Sequence, residues 1–165
     1  MTLQDLRSLL EYHYWARDRM LAALEALTPE QYTRDLGSSF RSIRDTAVHV
    51  YAAEWAWYSR WQGQSPAALI KPETFPDLPS LGRAWTELEE KMRDFLEKAG
   101  ESGLERVIEY KLLSGDPGAS SFWQMLQHVV NHASYHRGQI TTMLRQIGAT
   151  PAKPMDLIAF YRTRR

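Results

Sequence analysis

The sequence has no cysteine. That absence excludes disulfide staples, a thiolate nucleophile and cysteine-ligated zinc together, so any metal would have to be held by His, Asp or Glu. It also fits a reducing compartment, and a cytoplasmic protein is the expectation. Excess charge is missing too: Lys+Arg and Asp+Glu both number 20, for a formal net charge of zero. Nucleic-acid binding usually shows itself as a basic excess, so direct binding of DNA or RNA is not expected. The short basic tail of Arg162, Arg164 and Arg165 reads as a solvated C-terminus. No hydrophobic run approaches the roughly 20 residues needed to cross a bilayer. The opening MTLQDLRSLLEYHYWARDRM carries charge throughout, without the apolar stretch of a signal peptide. A protein without a membrane partner follows.

Apolar bulk, by contrast, is plentiful. Hydrophobic residues make up 44% of 165, with six Trp, eight Tyr and five Phe, which suits one packed domain spanning residues 1–165. Four segments carry helical spacing. The first places Leu3, Leu6, Leu10, Tyr14, Met20, Leu24 and Leu27 on one stripe and stops at Thr28-Pro29. The second, capped by Ser38 or Ser39, runs through Ile43, Ala47, Val50, Ala53, Trp57 and Trp61. The third opens at Ser80, follows Leu81, Trp85, Leu88, Met92, Phe95 and Ala99, and halts at Gly100. The fourth begins near Ser120 and carries Phe122, Met125, Val129, His132, His136, Ile140, Met143 and Ile147 to Gly148. Four such helices predict an all-α fold, a four-helix bundle.

Two connectors qualify that picture. Residues 63–79 hold Pro66, Pro72, Pro76 and Pro79, which exclude regular helix there. Such a connector is too long for a tight antiparallel turn. At roughly 3.3 Å per residue it can travel the length of a helix, so a crossover between helices 2 and 3 is predicted. Before the fourth helix, residues 106–113 alternate and then meet Ser114-Gly115-Asp116-Pro117-Gly118, the pattern of a short β-hairpin.

The five histidines are His13, His49, His128, His132 and His136. Three share the fourth helix, each four residues from the next. Residues at i and i+4 lie about 6 Å apart along a helix and can converge on one ion. His128 and His136 are about 12 Å apart, so one ion cannot take all three. His132 and His136 continue the apolar stripe and point inward, while His128 lies at its edge as a second-layer donor, a substrate contact or a solvated side chain. A third ligand is best sought on the second helix, where His49 sits between Val48 and Val50. Spacing alone leaves open whether these imidazoles bind metal or only satisfy buried hydrogen bonds.

Tyr12-His13-Tyr14-Trp15-Ala16, Ser42-Ile43 through His49 to Glu54 and Trp57, and above all the block from Asn131 to Ile140 (NHASYHRGQI) resemble the DinB family, also described as DinB/YfiT-like metalloenzymes. Leu144-Arg145, Gly148, and Asp156-Leu157-Ile158 with Tyr161 extend the resemblance over nearly the whole chain. It implies a four-helix bundle with a long crossover, often a homodimer, with one divalent metal on three histidines that fall here on His49, His132 and His136.

Three neutral imidazoles leave a coordination position open, the catalytic arrangement for zinc, and all-nitrogen ligation suits zinc, nickel, copper or iron. Zinc or nickel is the expected ion. The resemblance further implies a thiol-dependent transferase in which a low-molecular-weight thiol arrives as cosubstrate; hydrolysis of a small-molecule substrate is the competing chemistry. Hydrolysis needs a base, and Glu54 is the one nameable candidate. It lies about 140° round the helix from His49, which favours a structural or surface carboxylate. Tyr135, Gln139 and Arg137 are candidates to shape the pocket, though a solvated face explains Arg137 equally well; Trp15, Trp57 and Trp123 could line it or simply pack. The alternative from another class is a non-catalytic, metal-stabilised binding or stress-response module. The family name derives from DNA-damage induction, but the neutral charge argues against direct DNA binding.

Overall fold

The computed structural model describes residues 1–164; Arg165 of the basic tail lies outside the described residues. Most of the chain is helical, in the order α1 (Leu3–Leu24), α2 (Pro29–Thr33), α3 (Ile43–Trp61), α4 (Leu78–Gly103), β1 (Val107–Lys111), β2 (Pro117–Ser121), α5 (Phe122–Gln146) and α6 (Leu157–Arg162). The four long helices are the four periodic segments. Their stripes are buried: Leu6, Leu10, Tyr14 and Met20 of α1 and Leu81, Trp85, Leu88 and Met92 of α4 all face the core. Each such side chain contributes about 1.5–3 kcal/mol when it leaves water.

Contacts along the helices fix their directions. On α3 and α5, Thr46 meets Met143, Trp57 meets the ring of His128, and Trp61 meets Phe122, so this pair is antiparallel. On α3 and α4, Tyr51 packs against Trp85 and Tyr58 against Phe95, so these two run parallel. On α1 and α4, Arg7 pairs with Glu97 and Arg17 with Glu89, an antiparallel arrangement. The proline-rich connector between α3 and α4 therefore carries the chain back along the helices. One 3₁₀ turn, Pro72–Thr74, interrupts it.

Helix ends differ from expectation in instructive ways. Ser42, not Ser38 or Ser39, caps α3, its side chain accepting from the Asp45 N–H. Ser38 instead bridges to Arg41 in a tight loop. Asp77, not Ser80, caps α4 and accepts from the Ser80 N–H, with Pro79 inside the first turn where its missing N–H costs nothing. Gly100 does break α4, with φ of 58°, but the chain re-enters one more turn before the hairpin. The two strands pair antiparallel, Val107 opposite Ser121 through Lys111 opposite Pro117, and β2 runs straight into α5. No helix among the described residues is long and apolar enough to cross a membrane.

Candidate metal centre

α3 and α5 face each other where each carries histidine. His132 and His136 stand one turn apart on α5, and His49 reaches across from α3. The Nε2 atom of His132 lies 3.2 Å from Nε2 of His49 and 3.0 Å from Nε2 of His136. One ligand atom from each of the three falls within 4.8 Å of the others. His136 is buried, while His49 and His132 are half-buried, so the cluster opens to one side. This is the pair-plus-partner arrangement that helix geometry and the apolar stripe favoured.

The protonation pattern fits a metal. Gln139 Oε1 sits 2.7 Å from Nδ1 of His136 and can only accept, so His136 carries its hydrogen on Nδ1 and turns a bare Nε2 lone pair into the cluster. A single hydrogen on His132 cannot then point at both neighbouring ring nitrogens. No neutral assignment gives both short N···N contacts a well-aligned N–H, whereas one cation would draw on all three lone pairs. Burial, together with the mutual repulsion that protonated neighbouring imidazoles would feel, lowers the His49 pKa to about 4 and that of His132 to about 3. Both rings are therefore neutral at neutral pH, the form that ligates.

Phe40 was not singled out by its sequence, yet it stacks on His49 with ring centroids 3.9 Å apart and meets His136 edge-on. It comes from the loop before α3, where Arg41 has a positive φ of 56°. Only a bulky aromatic close to the helix start hinted at it.

The other candidates sort themselves by position. His128 lies outside the cluster, its ring 5.8 Å from that of His132; much of the residue is exposed, but partial desolvation of the ring together with Arg60 lowers its pKa. Trp57 packs edge-on against His128. Trp15 packs instead on Tyr12 and Phe160, and Trp123 donates to Glu105, both as structure rather than site. Tyr135 is 67% exposed, although its ring edge touches His136. Arg137 does not lie on a solvated face. It is 2% exposed and donates to Ser134 Oγ and the Tyr12 hydroxyl, because α1 covers that side of α5.

Glu54 is no surface carboxylate either. It is 1% exposed and accepts from the Tyr14 hydroxyl at 2.6 Å and Trp85 Nε1 at 2.7 Å, and pairs with His13 Nε2 at 2.9 Å. Burial alone would push its pKa up; His13 and the three hydrogen bonds together outweigh this and hold it below the ordinary carboxylate range. With its lone pairs engaged by α1 and α4, Glu54 ties three helices together and is poorly placed to serve as a base. His13 is wholly buried beside it, its Nδ1 without a partner among the described residues.

The sequence model described as the DinB family matches residues 1–163. The chain is similar to Protein DinB of Bacillus subtilis (strain 168), with 30% identity over 155 residues that cover 90% of this chain and 88% of that protein. Its fold is similar to the crystal structure of a DinB-like protein from Bacillus cereus ATCC 10987, with a TM-score of 0.67 and 18% identity, covering 88% of this chain and 95% of the other.

Proposed function

The chain belongs to the DinB family, and from that premise we propose that it is a metal-dependent enzyme acting on a small molecule. In this reading His49, His132 and His136 hold one divalent ion, zinc or nickel, and leave a coordination position free. The observation that carries it is the convergence of three Nε2 atoms whose hydrogens cannot satisfy one another. A bound ion would supply Lewis acidity and lower the pKa of a coordinated water or thiol. The chain's own residues do the rest. Gln139 fixes the His136 tautomer, and Phe40 holds the His49 ring by stacking. The half-open side of the cluster admits substrate.

The chemistry we favour is S-transfer from a low-molecular-weight thiol cosubstrate, with hydrolysis as the competing reaction. The engagement of Glu54 by three donors weighs against hydrolysis that would use it as base. The same proposal takes residues 1–165 as one domain, with α1, α3, α4 and α5 as a four-helix bundle linked by a long α3–α4 crossover. It takes the protein to be a cytoplasmic homodimer that does not bind nucleic acid directly, supported by the family resemblance, the absence of cysteine and the zero net charge.

Metal analysis of wild-type protein beside His132→Ala, followed by a screen of thiols against model electrophiles, tests the reading. Stoichiometric metal in the wild type, lost in the variant, with thiol-dependent turnover, is expected. A metal-replete wild type with no bound ion would overturn the site. Tight metal binding without turnover would favour the non-catalytic, metal-stabilised binding or stress-response module.

A further inference from the structure

Arg60 stands in the last turn of α3 and is only 6% exposed. Buried cations are ordinarily paired with a carboxylate or at least hydrogen-bonded. Arg60 is neither: among the described residues it makes no ion pair or side-chain hydrogen bond, and its Nε is sealed from solvent without a partner. Its guanidinium lies 4.5 Å over the ring of Trp57 and 5.5 Å over that of Tyr110. Those faces and the nearby helix C-terminus favour positive charge, but neither takes up the N–H donors. Burial accordingly lowers its pKa.

The surroundings point towards the triad. Ring follows ring from His132 to His128 at 5.8 Å, from His128 to Trp57 at 5.2 Å, and from Trp57 to Tyr110 at 5.1 Å. His128 is exposed and the other three are half-buried, so this aromatic strip borders solvent from the α3–α5 seam to β1. Trp57 lies about 12 Å along α3 from His49, and Arg60 about 16 Å. A molecule with one end at the triad and an anionic end at Arg60 would be as long as an extended chain of about five residues.

We propose that Arg60, flanked by Trp57 and Tyr110, is an anion subsite that receives the carboxylate of the small molecule acting at the triad. A guanidinium offers paired N–H donors matched to a carboxylate, and the neighbouring rings exclude water from the contact. That the ligand's other end reaches the metal rests on the proposed function; the anion site itself does not.

Titration of metal-free protein with acetate, inorganic phosphate and acetamide, read on the Arg60 Nε–H and Trp57 indole N–H resonances, separates the two. Acetate is expected to shift both saturably, with a Kd on the order of 10 mM, and acetamide to leave them unmoved. In Arg60→Gln the Trp57 response to acetate should weaken at least about tenfold. If that variant does not fold, the wild-type contrast between acetate and acetamide still decides. Equal responses to acetate and acetamide, no saturable response to acetate, or a response to phosphate alone would overturn the carboxylate subsite. Loss of metal binding elsewhere would leave this result untouched.

Discussion

Replacing Gln139 with Leu removes a side chain that touches no ion, and the structure sets the size of the effect. The amide oxygen accepts from Nδ1 of buried His136 at 2.7 Å, a short bond that fixes which ring nitrogen is bare. Without it the Nδ1–H loses its partner in a partly enclosed site, and the alternative tautomer, with its hydrogen on Nε2, becomes competitive. That tautomer presents a hydrogen to the cluster and cannot ligate. An unsatisfied donor costs about 1–3 kcal/mol, which corresponds to roughly fivefold to 150-fold in metal affinity. Leu is near Gln in volume and suits a helix, so the fold should survive. Competition against a chromophoric chelator, with Gln139→Leu beside wild type, measures the change, while circular dichroism verifies the helix content. An affinity within twofold of wild type would refute the claim that Gln139 sets the tautomer of His136. A conservative Gln139→Glu variant should retain tight binding, since a carboxylate accepts the same hydrogen.

Two further substitutions probe the structure that carries the site. Glu54→Ala leaves the Tyr14 hydroxyl, Trp85 Nε1 and His13 without their shared acceptor, and should cost about 3–5 kcal/mol in urea unfolding; a cost below about 1 kcal/mol would show that the buried network contributes little. The Glu54 carboxyl has a folded pKa below its unfolded one, so its contribution is present above the usual carboxylate range and lost as pH falls through the folded value; the stability gap between wild type and Glu54→Gln should therefore narrow only on acidification below that range. Gly118→Ala places a methyl group 2.6 Å from Cε2 of Tyr110, so the ring must move; thermal melting should reveal a loss of about 1–3 kcal/mol, and an unchanged melt would contradict the packing of that ring on β2.

The long elements were legible because a helix advertises its buried stripe every three or four residues. α2 and α6, at five and six residues, are too short to carry a stripe and were not foreseen. Caps were misplaced by a few residues because several Ser and Asp side chains near a helix start are chemically able to cap, and the loop geometry selects among them. Ser38 was drawn into a bridge with Arg41, which left Ser42 to the helix. At the site, His132 and His136 could be chosen over His128 because the heptad-like stripe distinguishes inward from edge positions. Phe40 and the acceptor role of Glu54 were illegible for a different reason. Glu54 is 40 residues from Tyr14 and 31 from Trp85, Phe40 reaches His49 only through the turn at Arg41 and meets His136 from a distant helix, and no local period encodes such meetings.

The position of Glu54 also explains why His49 points where it does. Five residues separate them on α3, about 140° around the axis, so one side of the helix faces α5 with an imidazole while the other faces α1 and α4 with a carboxylate. Apolar burial is non-directional, so by itself it fixes the rotation of a helix less sharply than an aimed hydrogen bond does. A carboxylate that accepts from Tyr14, Trp85 and His13 is directional and has no comparable alternative within reach. Rotating α3 enough to swing His49 away from His132 would break those bonds inside the core. The buried network would thus orient the first of the proposed ligands, just as Gln139 would orient the third. On this account Glu54→Gln should weaken metal binding even where the helices still form, because the amide cannot accept from all three donors at once. The readout is chelator competition on the folded protein at neutral pH. If affinity there equals wild type while stability has fallen, the network holds the helices together without aiming His49.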